Sequence, residues 1–156
     1  MRILVVSDSH GDTAALRRVL LAQPSAEVVF FLGDGERDIE AVRPDFPQKQ
    51  FVCVSGNCDF APLYPTQECR LLCGKKIIAC HGHTFGVKGG WERYLAYARK
   101  TGADLALFGH THQAVARYED GIYLMNPGSL RGYGGTYGLI DVSKAGIVMN
   151  IVEIKT

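Results

Sequence analysis

The chain has 156 residues, of which 47% are hydrophobic and 21% are charged, and its formal net charge is +1. This length predicts one domain, residues 1–156, that buries a core without disulfides or structural metal. The near-neutral charge gives no electrostatic footprint for nonspecific nucleic-acid binding. No apolar run approaches the roughly 18 residues of a membrane helix, and the N-terminus lacks a signal peptide, so we expect a cytoplasmic protein without membrane partners.

Five cysteines are an odd number, and without a secretory signal they argue against a disulfide framework. Cys53, Cys69 and Cys80 lie in apolar stretches, where cysteine is expected to be a small buried residue. Cys69 and Cys73 lack the two-residue spacing of a zinc knuckle. Cys58 differs from the others because it lies between two polar residues.

In chain order, short β-branched or apolar runs predict five strands, at residues 2–7, 27–32, 50–55, 76–80 and 104–108. Asp12 has the chemistry of an N-cap for a helix that begins at residue 13 and has one apolar face. In the segment 90–102, aromatic and apolar residues recur at helical spacing, which predicts a core-facing helix that ends at Gly102.

The character of the chain changes after residue 113. Residues 114–126 and 136–154 each read as two strands joined by a turn, and the second turn is expected at 144–146. Alternating strands and helices followed by antiparallel strands predict an α/β domain with a mixed sheet, or two sheets packed together with helices outside.

Polar residues, usually beside glycine, follow all five predicted strands. In chain order they are Asp8 and His10, Asp34, Asn57, His81, and then His110 and His112. Ligands bind outside the carboxyl ends of strands in open α/β sheets, so we expect these loops to converge on one crevice. Because residues i and i+2 of an extended segment point the same way, each Asp-x-His or His-x-His pair should face one centre or two adjacent centres.

This set of donors predicts a metal site. Nitrogen and oxygen donors without thiolate suit Mn²⁺, Zn²⁺, Ni²⁺ or Fe, with Mn²⁺ as the first choice. Seven candidates exceed the four to six ligands that one ion needs, so two ions are expected. Asp34 stands alone after its strand and is well suited to bridge them.

The ordered motifs D-x-H, GD, GN, H and GHxH resemble those of the calcineurin-like metallophosphoesterase superfamily, from residue 4 to about 130. The likeness is greatest to its small prokaryotic phosphodiesterase branch, which shares GNCD (56–59), HGH (81–83), GHTH (109–112) and NPGS (126–129). The resemblance implies a single metallophosphoesterase domain with an α/β fold, a two-sheet mixed β-sandwich flanked by helices (αββα).

The resemblance also assigns the ligands. It implies one ion held by Asp8, His10, Asp34 and His112, and a second held by Asp34, Asn57, His81 and His110, with Asp34 bridging. The implied reaction is hydrolysis of a phosphodiester by in-line attack of a hydroxide that bridges the two ions. Asn57 and Asp59 are expected to act in catalysis, Asp59 by orienting a ligand or a neighbouring group. His83 either assists catalysis or has a structural role.

Cys58 departs from many members of the superfamily, which have histidine after the GN asparagine. A thiol, with an ordinary pKa near 8.5, is a poorer phosphate partner than imidazolium, so we expect a preference for small diesters over unactivated monoesters. Arg131 is a second candidate for substrate binding, although its position also suits an exposed loop residue.

Two alternatives to a phosphodiesterase remain open. The retromer subunit of eukaryotes has this fold and binds partner proteins, so a non-catalytic scaffold is one alternative; its metal set is degraded, whereas the set is complete here. A phosphomonoesterase is the other, and Cys58 argues against it. No specific nucleic-acid binding is expected, and a homodimer is the common prior for a small enzyme.

Overall fold

Two five-stranded mixed β-sheets pack face to face, with helices on their outer faces, in a computed structural model that describes residues 1–155. The first sheet contains β1 (Arg2–Val6), β2 (Val28–Phe31), β3 (Gln50–Cys53), β9 (Thr136–Ser143) and β10 (Gly146–Glu153). Its order is β10-β9-β1-β2-β3, in which β1, β2 and β3 are parallel and the other pairings are antiparallel.

The second sheet is also mixed, with parallel strands at its centre and an antiparallel strand at each edge. It contains β4 (Gln67–Leu72), β5 (Lys75–Cys80), β6 (Leu105–Leu107), β7 (Val115–Glu119) and β8 (Ile122–Asn126). Its order is β4-β5-β6-β8-β7, in which β5, β6 and β8 are parallel.

Three α-helices within residues 1–155 cover the sheets: α1 (Thr13–Ala22), α2 (Glu36–Val42) and α3 (Glu92–Thr101). Short 3₁₀ turns occupy Arg43–Asp45, His83–Phe85 and Val87–Gly89. None of these helices combines the length and the apolar character that crossing a membrane requires.

Strand β1 illustrates how alternation builds the layers. Ile3 and Val5 pack in the core between the two sheets, whereas Leu4 and Val6 pack in a second core with α1 and α2. Successive side chains of a strand point to opposite faces, so a continuously apolar strand is stable only when both of its faces are covered. A third core lies between the second sheet and α3.

The predicted αββα sandwich is confirmed, and so are the predicted start of α1 and the predicted end of α3. Asp12 caps α1 by accepting a hydrogen bond from the Ala15 amide at 2.9 Å. Gly102 ends α3 in the left-handed conformation, with a φ of 70°. Both C-terminal hairpins form, but they join different sheets, which their sequences do not indicate.

The prediction that Cys69 is buried was wrong, whereas Cys53 and Cys80 are buried as expected. Cys69 lies on β4, an edge strand with alternating exposure that the sequence analysis did not predict. An edge strand with one solvated face has no continuous apolar run, and Cys69 falls on the solvated face.

The topology places the ends of β1, β2, β5 and β6 at one edge of the sandwich. The loops after β1 and β2 are joined by a hydrogen bond from the Asp8 amide to the Gly33 carbonyl at 3.0 Å. The loops after β5 and β6 are joined by one from the Gly109 amide to the His81 carbonyl at 2.9 Å. The predicted convergence of the strand-end loops therefore involves both sheets.

Candidate metal centre

The backbone of the strand-end loops is strained where the predicted ligands lie. Eight non-glycine residues in the described chain have positive φ, and five of them are predicted ligands: Asp8 (55°), His10 (44°), Asp34 (58°), His110 (70°) and His112 (59°). Such conformations cost about 1–3 kcal/mol each and concentrate at functional sites. The expectation that extended backbone aligns the i and i+2 side chains was wrong, because these residues are left-handed rather than extended.

The Asp8 carboxylate is held so that one oxygen faces the histidines. Its Oδ2 accepts hydrogen bonds from the Ser7 hydroxyl at 2.5 Å and from the His110 amide at 3.1 Å. Its Oδ1 lies 3.1 Å from His112 Nε2 and 3.5 Å from His10 Nε2. Fixing the outer oxygen orients the inner one, as outer partners commonly do for metal-ligating carboxylates.

Asp8, His10 and His112 form a group with the dimensions of a coordination site. The Nε2 atoms of His10 and His112 lie 3.2 Å apart. Ligands about 2.1 Å from one ion are separated by roughly 3.0–3.4 Å in octahedral or tetrahedral geometry. The separations of 3.1 and 3.2 Å fall within this range and the third, 3.5 Å, lies just above it, so the three donors fit positions around a single cation.

Asp34, His81 and His110 form a second group, whose ligand atoms all lie within 4.8 Å of one another. His81 is fully buried, and its Nδ1 lies 2.6 Å from the Leu32 carbonyl oxygen, to which it donates. Its Nε2 lies 3.3 Å from Asp34 Oδ2 but has no hydrogen-bond partner within residues 1–155. A buried imidazole nitrogen that faces a carboxylate without a hydrogen bond is stabilised by positive charge between them, and these residues fit a divalent metal ion.

The pKa values at this point show the same demand for positive charge. Burial lowers the pKa of His81, but the Asp34 and Asp8 carboxylates outweigh it and raise that pKa above its ordinary value. Burial raises the pKa of Asp34, but the neighbouring His81 imidazole and the hydrogen bond from the Cys58 amide outweigh it and hold that pKa well below its usual range. Burial, together with the charge of His81, lowers the pKa of His110, which favours the neutral imidazole that a metal ligand must be.

Cys58 lies beside Asp34, and the Asn57 side chain contacts Cys58. The Cys58 sulfur lies within 4.8 Å of ligand atoms of His10 and Asp34, and its amide donates to Asp34 Oδ1 at 2.8 Å. Burial and the nearby Asp34 carboxylate raise the pKa of Cys58, which keeps it a thiol. Asn57 is exposed, and its side-chain amide donates to the Cys58 sulfur at 3.5 Å, its one side-chain hydrogen bond within residues 1–155.

Asp59 holds the two loops that carry Asp34 and Asn57. Its carboxylate accepts hydrogen bonds from four backbone amides at 2.7–3.0 Å, those of Asp34, Gly35, Glu36 and Gly56. The carboxylate thus contacts the backbone around a candidate ligand rather than an imidazole ring. This contact agrees with the expected orienting role, which remains a prediction.

The remaining candidates lie around this centre at different distances. The His83 ring is half-buried, with its centroid 5.5 Å from that of His81 and 6.1 Å from that of His110. Burial and the charge of His81 lower the pKa of His83. Arg131 is exposed, and its backbone amide donates to the Ser129 hydroxyl, which in turn donates to the Asp8 carbonyl at 2.7 Å. The guanidinium of Arg131 contacts none of the seven candidate ligands in the described chain.

Two carboxylates and one amide support the loops around the candidate ligands. Buried Asp38 accepts hydrogen bonds from Ser9, Gly11 and Thr13, and so fixes the loop that carries His10. Buried Glu36 accepts from the Leu63 amide at 3.0 Å. Asn126, in the NPGS motif, donates to the Gly109 carbonyl and the Thr111 hydroxyl at 2.9 Å, and so supports the loop of His110 and His112. Only NPGS gave a signal in sequence.

An open cleft of about 290 Å³ adjoins the two groups of ligands. His10, Asp34, Cys58 and Asp59 line one side of it, and other lining residues include Arg37 and Phe60. A small substrate bound in this cleft would contact both the candidate ligands and the residues around them.

Comparison with known proteins assigns the family. The sequence profile of the calcineurin-like phosphoesterase superfamily domain matches residues 1–145. The chain belongs to this superfamily. Phosphodiesterase YfcE of Escherichia coli K12 is 31% identical to this chain over 169 aligned positions, which cover 90% of this chain and 88% of that protein.

Solved structures share the fold. A protein described as a predicted phosphoesterase from Streptococcus pneumoniae TIGR4 has a TM-score of 0.81 and 31% identity, and the alignment covers 97% of this chain and 88% of that one. A single mutant of Vps29 from Entamoeba histolytica has a TM-score of 0.77 with 20% identity, covering 99% of this chain and 100% of that one. The latter similarity shows the fold alone.

Proposed function

We propose that this protein is a binuclear, divalent metal-dependent phosphodiesterase that hydrolyses small phosphate diesters. The observation that carries the proposal is the unpartnered Nε2 of buried His81, which faces Asp34. Asp34 and His10, a member of the other donor group, both line one cleft. Asp34 belongs to one donor group with His81 and His110, and to another with His10 and Cys58. This position suits the bridging role that the family resemblance implies for Asp34.

The proposed ligands remain the predicted seven. One set is Asp8, His10, Asp34 and His112, and the other is Asp34, Asn57, His81 and His110. Two divalent ions held there, with Mn²⁺ as the proposed resident metal, would activate water and neutralise the charge that develops on the phosphoryl oxygens. The homodimer remains a prediction.

The chain itself would contribute orientation and proton transfer. Asp59 and Ser7 fix the loops and the carboxylate that carry ligands, so that little reorganisation is needed when substrate binds. His83 has a lowered pKa and an Nδ1 that is buried without a hydrogen-bond partner in the described chain. A neutral imidazole of this kind can accept a proton or pass one to a leaving group.

The preference for diesters is proposed from Cys58. Its thiol has a raised pKa, carries no positive charge and lies beside Asp34. A monoester dianion would gain little from a neutral thiol, whereas a diester monoanion needs less positive charge. The name of the Escherichia coli relative, a phosphodiesterase, supports the same choice.

The test is hydrolysis of bis(p-nitrophenyl) phosphate beside p-nitrophenyl phosphate, by chelator-treated protein before and after Mn²⁺ is restored. We expect Mn²⁺-dependent cleavage of the diester, a smaller kcat/KM for the monoester, and loss of both activities in Asp34→Asn. Preference for the monoester would support a phosphomonoesterase instead. Absence of turnover with metal bound would support the scaffold alternative.

A further inference from the structure

The cleft beside the candidate metal centre contains one uncommitted cation, Arg37. It is the only lysine or arginine among the lining residues, it is exposed, and its guanidinium has no hydrogen bond or ion pair within residues 1–155. The nearest acceptor by helical spacing is Glu40, at i+3 on α2, and Glu40 instead accepts from Arg43 at 3.1 Å and from Tyr64. Arg37 therefore remains available to an anion in the cleft.

The carboxylates that line the same cleft are already engaged. Glu36 and Asp38 are buried and accept hydrogen bonds from the protein, as described above. Asp59 is held by four backbone amides, and Asp34 is a candidate metal ligand. Arg37 lines the cleft between two acidic neighbours whose carboxylates are already engaged, so these neighbours leave its guanidinium unpaired.

Phe60 provides an aromatic surface at the same cleft. Its side chain is 89% exposed, although a phenyl ring in water is unfavourable, and it follows Asp59 directly in the chain. The amides that hold Asp59 anchor the backbone beside Phe60. An exposed ring on an anchored backbone beside a proposed phosphate site suits stacking on a planar substrate group, since stacking tolerates any aromatic face.

We infer that Phe60 and Arg37 form a subsite for a phosphodiester that carries an aromatic ring, in which Phe60 stacks on the ring and Arg37 pairs with an anionic oxygen. This inference rests on the proposed function, because the subsite acts on a diester held at the metal centre. The two residues have separable effects: Phe60 selects aromatic over small substituents, whereas Arg37 strengthens the binding of any anion of this kind.

Binding can be measured without turnover by using phosphinates. Diphenylphosphinate and dimethylphosphinate are monoanions like a diester, and they contain no ester bond to hydrolyse. Titration calorimetry with the Mn²⁺-loaded protein should show tighter binding of the diphenyl compound. In Phe60→Ala, the Kd of dimethylphosphinate divided by the Kd of diphenylphosphinate should fall by about 5- to 100-fold, in line with the loss of one stacking contact. Phe60→Trp should retain the ratio.

Arg37 is tested with the same two compounds. Arg37→Met keeps the aliphatic stem and should weaken both phosphinates about tenfold or more while their ratio stays constant, because a charge-assisted hydrogen bond is lost. Arg37→Lys should recover part of the affinity. Tyr118→Ala is the matched control, since Tyr118 is an exposed aromatic residue on β7 outside the lining of this cleft.

Each result decides a different point. An unchanged ratio in Phe60→Ala, with thermal stability equal to wild type, would overturn the role of Phe60. If Arg37→Met changed the ratio of the two Kd values without weakening the binding of both phosphinates, the proposed role of Arg37 would be overturned. If wild type discriminates between the phosphinates but never hydrolyses a diester, the subsite stands and the proposed catalytic function fails. If wild type hydrolyses diesters but binds the two phosphinates equally well, the proposed catalytic function stands and the subsite fails.

Discussion

The Nε2 atoms of His10 and His112 lie 3.2 Å apart, although the two residues are 102 positions apart in the chain. Two imidazole nitrogens at this distance either share a proton or share a cation. Asp8 Oδ1 lies 3.1 Å from His112 Nε2, which completes a group with the dimensions of a metal site. The folded chain therefore holds three donor atoms so close together that their mutual repulsion is unfavourable, and a bound metal ion would offset this repulsion.

Metal binding should stabilise the protein, and His112→Ala should weaken that effect. At 100-fold excess over its Kd, a ligand specific to the folded state adds about 2.7 kcal/mol, which corresponds to a rise in Tm of about 5–10 °C for a chain of this size. Differential scanning fluorimetry of chelator-treated protein with added Mn²⁺ measures this rise. We expect at least half of it to be lost in His112→Ala.

His83→Gln is the matched control for the metal experiment. His83 lies in the same histidine cluster but belongs to none of the donor groups. The rise in Tm with Mn²⁺ should therefore persist in His83→Gln. Equal loss in both variants would mean that the stabilisation reflects general electrostatics rather than coordination.

Asp59→Asn tests whether Asp59 positions the loops rather than transferring a proton. An asparagine oxygen cannot replace a carboxylate that accepts from four amides, and its NH₂ group would face amide donors. We expect a loss of about 1–3 kcal/mol in the free energy of unfolding and a 10- to 100-fold loss in metal affinity. Denaturant titration and metal titration measure these two effects. A variant with unchanged stability and metal affinity but no turnover would point to direct participation in catalysis instead.

Gly56→Ala should displace the Asp34 carboxylate. A Cβ atom at Gly56 would lie 2.0 Å from Asp34 Oδ1, and the backbone φ of Gly56 is outside the left-handed region, so the clash is the main effect. We expect metal affinity to fall about 10- to 100-fold, measured by titration with Mn²⁺. Gly89→Ala is the control, because a Cβ there meets no atom within 4 Å. Equal metal affinity in the two variants would contradict the placement of Asp34.

Cys58→His should change substrate preference. An imidazole near Asp34 can carry a positive charge and donate a proton, whereas the Cys58 thiol is neutral and, with its raised pKa, a weak acid. We expect the ratio of kcat/KM for the monoester to that for the diester to rise at least about tenfold. Cys58→Ser, which adds no cation, should leave the ratio near wild type. If Cys58→His leaves it unchanged as well, residue 58 does not set the preference.

Much of the site was readable in sequence because its donors follow apolar strands in a fixed order. Asp8, Asp34, His81 and His110 each follow a predicted strand, and the structure brings all four to one edge of the sandwich. The supporting residue Asp38 could not be identified in this way. It lies within a helix and acts by accepting hydrogen bonds from Ser9, Gly11 and Thr13, which are remote in sequence.

The backbone conformation that brings the candidate ligands together could not be predicted from the sequence either. The sequence suggested extended segments, whereas Asp8, His10, His110 and His112 all have positive φ. Local propensity disfavours that conformation, so only long-range contacts hold it, such as the hydrogen bond from the His110 amide to Asp8 Oδ2. Strain of this kind depends on parts of the chain that meet only after folding.

By itself, the sequence determined the layers of this protein, because the period of its apolar residues identifies strands that are covered on both faces and helices with one apolar face. It also determined which polar residues follow those strands. Only the tertiary structure decided that the two C-terminal hairpins join different sheets, that Cys69 faces solvent, and that Arg37 and Phe60 border the candidate metal centre. These features depend on contacts between segments distant in the chain, which local periodicity does not encode.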